Sequence, residues 1–179
     1  MRFCSECGAA VERRRPPGDE LERFVCTGCE TVHYQNPKVV VGSVCTWSDD
    51  RLLLCRRAIP PRAGYWTIPA GYQELAETAE EGAHREAWEE ARARIEITGI
   101  LAVYTVPRIS QVQVMYRARL LSPEVAPGPE SAEVALVGWG AIPWGELAFP
   151  TVRWILRRAL ELRDHAGPFP TVGNPEPLP

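Results

Sequence analysis

The sequence has almost no lysine. Lys38 is the only one, so nearly all of the 20 basic side chains are arginine, and 23 acidic ones outnumber them for a formal net charge of -3. Nonspecific nucleic-acid binding needs a surplus of unpaired cations to displace phosphate counterions, and this balance argues against it. An anionic small molecule is still compatible, because local arginine clusters and metals hold anions despite an acidic total. Long apolar runs are also missing. The longest, Val39 to Cys45 and Ile100 to Val106, fall well short of the roughly 18 residues a membrane-spanning helix needs, so no membrane partner is expected. The opening Met-Arg-Phe-Cys-Ser-Glu-Cys lacks the apolar core and small-residue cleavage site of a secretory signal, which predicts a cytoplasmic protein.

With 179 residues, 45% of them hydrophobic, there is material for one medium domain and a small appendage. Residues 1–36 have no long apolar periodicity and cannot bury enough surface to fold without a staple. Residues 37–165 have a different character. Val39 to Thr46 and Leu52 to Cys55 are β-prone and are separated by the turn-forming Ser48-Asp49-Asp50, which predicts a hairpin. Thr78 followed by Glu81 is a capping box opening a helix over 78–92. Strands are expected at 95–105, 133–139 and 111–121, the last with Val112, Val114, Tyr116, Ala118 and Leu120 alternating. A second helix follows Thr151, with Val152, Ile155, Leu156, Ala159 and Leu160 at helical spacing. Residues 166–179 are dense in proline and glycine and read as a disordered tail. The fold class is α/β, an α/β/α sandwich around a mixed sheet, with a small ribbon at its N-terminus.

Six cysteines divide by context. Cys4-x2-Cys7 and Cys26-x2-Cys29 are two knuckles whose separation supplies four thiolates to one tetrahedral Zn²⁺. Two structural disulfides are the competing reading, and they conflict with a reducing compartment. Four thiolates leave no open position, so this zinc is structural. Cys45 and Cys55 lie in expected strands and read as small buried hydrophobes.

The remaining chemistry lies in the 78–92 helix. Glu86, Glu89 and Glu90 stand at i, i+3 and i+4, so like charges meet on one exposed face. A divalent cation relieves that repulsion, and all-oxygen donors suit Mg²⁺ or Mn²⁺. Glu86 and Glu90 are the primary ligand candidates and Glu89 the auxiliary one. Arg85 is placed to pair with Glu89.

Gly71, Glu77, Arg85, Glu86, Glu89 and Glu90 occur in the register of the Nudix box, G-x5-E-x7-R-E-U-x-E-E-x-G-U with U a bulky aliphatic residue. The segment resembles that family. Arg92 stands where the pattern has glycine, and Ala87 and Ala93 are small where it prefers larger aliphatics. Because the family glycine closes the helix in a left-handed turn, the helix is expected to end differently here. Tyr34-Gln35-Asn36-Pro37-Lys38, Leu53 to Arg57, Gly64 to Gly71, Pro107-Arg108-Ile109 and Pro127 to Glu133 extend the likeness to zinc-ribbon Nudix hydrolases, in particular plant FAD and ADP-ribose pyrophosphatases.

The resemblance implies a metal-dependent nucleotide pyrophosphatase cleaving the diphosphate of FAD or ADP-ribose and releasing AMP, its partner being a small nucleotide conjugate. It also implies a glutamate outside the helix, Glu133 first and Glu130 second, that completes the metal site or acts as general base. Arg56, Arg57 and Arg108 are candidates for the phosphates. Trp66 and Tyr72 are candidates for stacking on a ring, although Trp66 suits a core role better, and Gly71 and Glu77 are scaffold. Two alternatives stand beside this reading. An NADH pyrophosphatase is disfavoured because no Ser-Gln-Pro-Trp-Pro-Phe-Pro stretch follows Ala93, and a catalytically silent nucleotide sensor or interaction module is disfavoured because the box glutamates are intact. The family often dimerises, so a homodimer is an assembly that the resemblance permits.

Overall fold

The computed structural model describes residues 1–164 and Pro175; the tail expected at 166–179 thus lies, but for Pro175, outside the described residues. The chain divides into two compact units, Met1–Pro37 and Lys38–Pro179.

The first unit is a three-stranded antiparallel sheet of β1 (Val11–Arg14), β2 (Arg23–Cys26) and β3 (Val32–His33), in that order. Its cysteines are not disulfide-bonded. The four Sγ atoms of Cys4, Cys7, Cys26 and Cys29 lie within 4.8 Å of one another. Cys4 and Cys29 stand 3.7 Å apart and Cys7 and Cys26 3.4 Å, close to the roughly 3.8 Å edge of a tetrahedron with Zn–S bonds of about 2.3 Å. Backbone N–H groups of Cys29 and Gly28 donate to Cys26 Sγ and lower its pKa, and that of Glu6 donates to Cys4 Sγ. His33 Nε2 adds a contact of 3.2 Å to Cys4 Sγ that the CxxC spacing does not reveal.

The second unit contains β4 (Lys38–Thr46), β5 (Leu52–Arg57), β6 (Trp66–Thr67), β7 (Ala70–Tyr72), α1 (Ala79–Ala91), β8 (Ile95–Val106), β9 (Gln111–Leu120), β10 (Ser131–Val137) and α2 (Pro150–Glu161). The sheet runs β10-β5-β4-β9-β8, with β6 on β5 and β7 on β4. β4 and β9 are parallel and the other pairings antiparallel, which makes the sheet mixed. The expected hairpin closes at Thr46 opposite Leu52.

Period-two alternation sends side chains to two cores. Leu52 and Leu54 join Val44, Met115, Trp154, Ile155 and Leu156 on the α2 side. Leu53 and Cys55 join Cys45, Ala87, Ala91, Ala118 and Leu120 on the α1 side. These are the two faces of the sandwich. On α1, Ala83, Ala87 and Ala91 are fully buried, so the small residues let the helix sit close to the sheet. Cys45 and Cys55 are buried, and burial pushes the Cys45 thiol up to about 12. On α2 the spacing holds except at Leu160, which is exposed, while Trp154 is buried and meets Tyr104 edge-on at 5.7 Å. Among the described residues no helix is long and apolar enough to cross a membrane.

The end of α1 differs from the expectation. Arg92 itself takes the left-handed conformation, at φ 51° and ψ 23°, and its N–H caps the helix at the carbonyls of Ala87 and Trp88. The turn that glycine adopts freely is kept by an arginine at a cost of roughly 1 kcal/mol. The guanidinium over the Trp88 ring, 5.6 Å from its centroid, offsets part of that cost. Arg92→Gly is therefore expected to stabilise the protein by a few tenths to about 1 kcal/mol, read as a higher Tm; a lower Tm would show that the arginine contact outweighs the strain.

Candidate active site

α1 starts with the expected cap: Glu81 N–H donates to Thr78 Oγ1 at 3.2 Å and Thr78 N–H to Glu81 Oε2 at 2.7 Å. One turn later, Arg85 ties the segment together. Its Nε and Nη2 grip both oxygens of Glu77 at 3.0 and 2.8 Å, Nη2 also reaches the Tyr72 carbonyl, and Nη1 bridges Glu86 and Glu89 at 2.7 and 2.9 Å. The Arg85 hydrogen bonds, helped by the Glu74 N–H, hold the Glu77 carboxyl down at about 2. Glu77 is thus a permanent anion that orients Arg85.

Of the glutamate face expected to be exposed, only Glu89 is. Glu86 and Glu90 are only 8% and 6% exposed, because β7 and the 126–130 loop cover them. A Cβ built on Gly71 would meet the Glu86 carboxylate at 2.3 Å, so only glycine lets β7 approach so closely. In the other covering segment, Ala126 N–H and Gly128 N–H donate to the carbonyls of Ala91 and Glu90, and a Cβ on Gly128 would fall 1.6 Å from the Glu89 carbonyl oxygen. Burial, reinforced by the charge of Glu86, raises Glu90 to about 8, and burial also raises Glu86. Glu90 Oε2 is buried without a hydrogen-bond partner among the described residues.

Glu86, Glu89, Glu90, Arg85, Gly71, Tyr72, Arg57, Arg108 and Glu130 all line one cleft of about 820 Å³. Arg57 is aimed by its Nε bond to the Pro61 carbonyl at 2.8 Å and lies over the Phe149 ring, and its charge pulls the Glu90 pKa down against the effect of burial. Glu133, Arg56 and Trp66 are not part of this lining. Glu133 faces Arg56 across the β10–β5 pair at 3.4 Å, and Trp66 packs on the α2-side core with Arg56 over its ring. Glu130 is the acidic residue outside α1 whose charge reaches both Glu86 and Glu90.

Among the described residues, the ribbon cysteines are the one set whose metal-ligand atoms all fall within 4.8 Å; of the helix glutamates, Glu86 and Glu89 meet at a single nitrogen, Arg85 Nη1. The carboxylates still fit a hard divalent cation. They supply oxygen donors, Glu86 and Glu90 are buried against their own repulsion, and one Glu90 oxygen is orphaned.

The NUDIX domain family matches residues 36–162, and the zinc-ribbon family described as Nudix N-terminal matches residues 2–35. The chain belongs to the Nudix hydrolases. A solved Nudix hydrolase from Nitrosomonas europaea is 49% identical and superposes with a TM-score of 0.91 over 97% of this chain and 98% of that one. A MutT-like protein of Streptomyces ambofaciens is 33% identical over 73% of this chain and 79% of its own length. An ADP-ribose pyrophosphatase of Methanocaldococcus jannaschii is 28% identical over 65% of this chain and 69% of its own. A NAD-capped RNA hydrolase, NudC, of Chromobacterium violaceum is 25% identical over 91% of this chain, which spans 60% of that protein. This Nudix hydrolase accordingly uses Mg²⁺ or Mn²⁺, and its ribbon carries structural Zn²⁺.

Proposed function

We propose that the protein hydrolyses the diphosphate bond of nucleoside diphosphate conjugates, ADP-ribose and FAD foremost, releasing AMP. The observation that carries this reading is the buried pair Glu86 and Glu90, with its orphaned oxygen, in a cleft that also presents Arg57 and Arg108. Buried carboxylates need a cation, and a cation flanked by arginines suits a diphosphate. The likeness to an ADP-ribose pyrophosphatase supports the substrate class.

Glu86 and Glu90 would hold the cation, with Glu89 steadied beside them by Arg85. When bound, Mg²⁺ or Mn²⁺ neutralises charge on the diphosphate oxygens and acidifies the attacking water. Glu130, at the cleft rim, takes the role assigned in the sequence to Glu133 and accepts a proton from that water. Arg57 and Arg108 orient the diphosphate by paired hydrogen bonds. The water oxygen forms a new bond to one phosphorus and the bridging P–O bond breaks, leaving two monophosphates.

Product analysis over a panel is the test. ADP-ribose is expected to yield AMP and ribose 5-phosphate, FAD to yield AMP and FMN, and both to exceed NADH and nucleoside triphosphates in kcat/KM. NADH as the best substrate would replace this reading with a NADH pyrophosphatase, and no turnover on any diphosphate would sink it.

A further inference from the structure

Two side chains outside the CxxC pairs reach the zinc sulfurs. Four thiolates carry more negative charge than one Zn²⁺ neutralises, and hydrogen-bond donors draw off part of the excess. Thr31 leads into β3 and His33 ends it, so their side chains share one strand face and Val32 takes the other. Antiparallel pairing seats that stretch beside the knuckles: Phe24 stands opposite His33, Val25 opposite Val32, and Cys26 N–H donates to the Thr31 carbonyl at 3.0 Å. From there Thr31 Oγ1 stands 3.1 Å from Cys29 Sγ and His33 Nε2 3.2 Å from Cys4 Sγ, one sulfur in each knuckle. A zinc-bound thiolate has no proton to give, so Thr31 donates its hydroxyl hydrogen and His33 its Nε2 hydrogen. The position of His33 is not that of a further ligand. Among the described residues the four Sγ atoms alone are mutually within 4.8 Å, so Nε2 lies beyond that distance from at least one of them, whereas ligands on one tetrahedral zinc stand about 3.8 Å apart.

We infer that Thr31 and His33 are positioning residues of the zinc centre, each fixing one thiolate by a hydrogen bond and both resisting loss of the metal. A thiolate that shares its charge with a donor is a weaker base, so protons compete less well with zinc for it. Backbone N–H groups already serve Cys26 and Cys4. Thr31 brings a side-chain donor to the exposed Cys29, and His33 adds a second donor at the buried Cys4. The inference concerns the metal that the ribbon keeps and does not depend on the substrate proposed for the cleft.

The experiment measures zinc affinity of the full chain by chelator competition, and the absorption spectrum after Co²⁺ replaces Zn²⁺, for wild type, His33→Phe, His33→Gln, Thr31→Val and Thr31→Ser. Phenylalanine keeps a ring and valine keeps the shape, and both lose the donor; glutamine and serine keep one. Thr31→Val is isosteric at a half-buried position, so it reads the hydrogen bond even where His33→Phe fails to fold. The two variants without a donor should each bind zinc roughly 10- to 100-fold more weakly. The glutamine and serine variants should stay close to wild type. The wild-type Co²⁺ spectrum should show four sulfur ligands, and its sulfur-to-metal charge-transfer band should move to lower energy in His33→Phe and Thr31→Val, a shift that a packing defect alone does not produce. Unchanged zinc affinity in His33→Phe or Thr31→Val would overturn the inference, as would losses in the glutamine and serine variants as large as in the other two. A nitrogen ligand in the wild-type Co²⁺ spectrum would also overturn it, because His33 would then hold the metal itself.

Discussion

Glu90→Gln and Glu86→Gln are each expected to lower kcat by about two to three orders of magnitude, the usual cost of removing one preorganised charged group from a reacting centre. The fold should survive. Both side chains keep their shape as glutamine, neither change makes a cavity, and the amide oxygen at position 86 can still accept from Arg85 Nη1. Stability measured against pH separates this from a structural defect. In chelator-treated protein, Glu90 has a folded pKa of about 8, against an unfolded value of roughly 4.3. A raised carboxylate pKa contributes stability that is fully present below the unfolded value and is lost as pH rises through the folded one. Metal-free wild type should therefore lose stability between about pH 4.5 and 8, and Mg²⁺ should restore it at the upper end because the cation binds the ionised form. Glu90→Gln should lack most of that slope and most of the Mg²⁺ response. Near-normal turnover at saturating Mg²⁺ in both variants would refute the metal-site proposal.

Much of this site is legible in the sequence because its geometry is local. The capping box at Thr78 and Glu81 and the i, i+3, i+4 spacing of Glu86, Glu89 and Glu90 need only a helix to take effect. What covers that helix is tertiary. Nothing in the spacing shows that β7 and the Gly128 loop bury Glu86 and Glu90, and the strands over 66–72 are too short to show any period. The same holds for the acidic residue outside the helix. Glu130 and Glu133 both precede or open a late strand, and what separates them is a register shift in β10 between Ser131 and Glu133. After that shift Glu133 faces Arg56, while Glu130 stays in the loop at the cleft. In a strand buried on both faces, the alternation of Val112, Val114 and Tyr116 describes one face and leaves the other, with Gln111 and Gln113 lining the cleft, unread. At Arg92 the local rule itself failed, since a cap that favours glycine is held by an arginine.

Cys26→Ser is expected to unfold the ribbon and to cost the protein its solubility before its chemistry. The reason is the size of the metal contribution. Structural zinc supplies on the order of 10 kcal/mol or more to a small domain of this kind, and residues 1–37 have little else to fold around: of their apolar side chains, only Cys4, Pro16, Val25 and Cys26 are buried. Cys26 Sγ also accepts the N–H groups of Gly28 and Cys29, so a serine there removes a zinc ligand and loosens its knuckle together. Metal analysis of wild type should find one zinc per chain. A thiol reagent at pH 8 should then count four reactive cysteines after chelation, because Cys45 and Cys55 are fully buried with thiols held well above that pH. The remaining two should appear only on denaturation. If reduced wild-type protein held no zinc yet kept a folded ribbon, the four-thiolate centre would be wrong, and six reactive thiols in native, chelated protein would contradict the buried positions of Cys45 and Cys55.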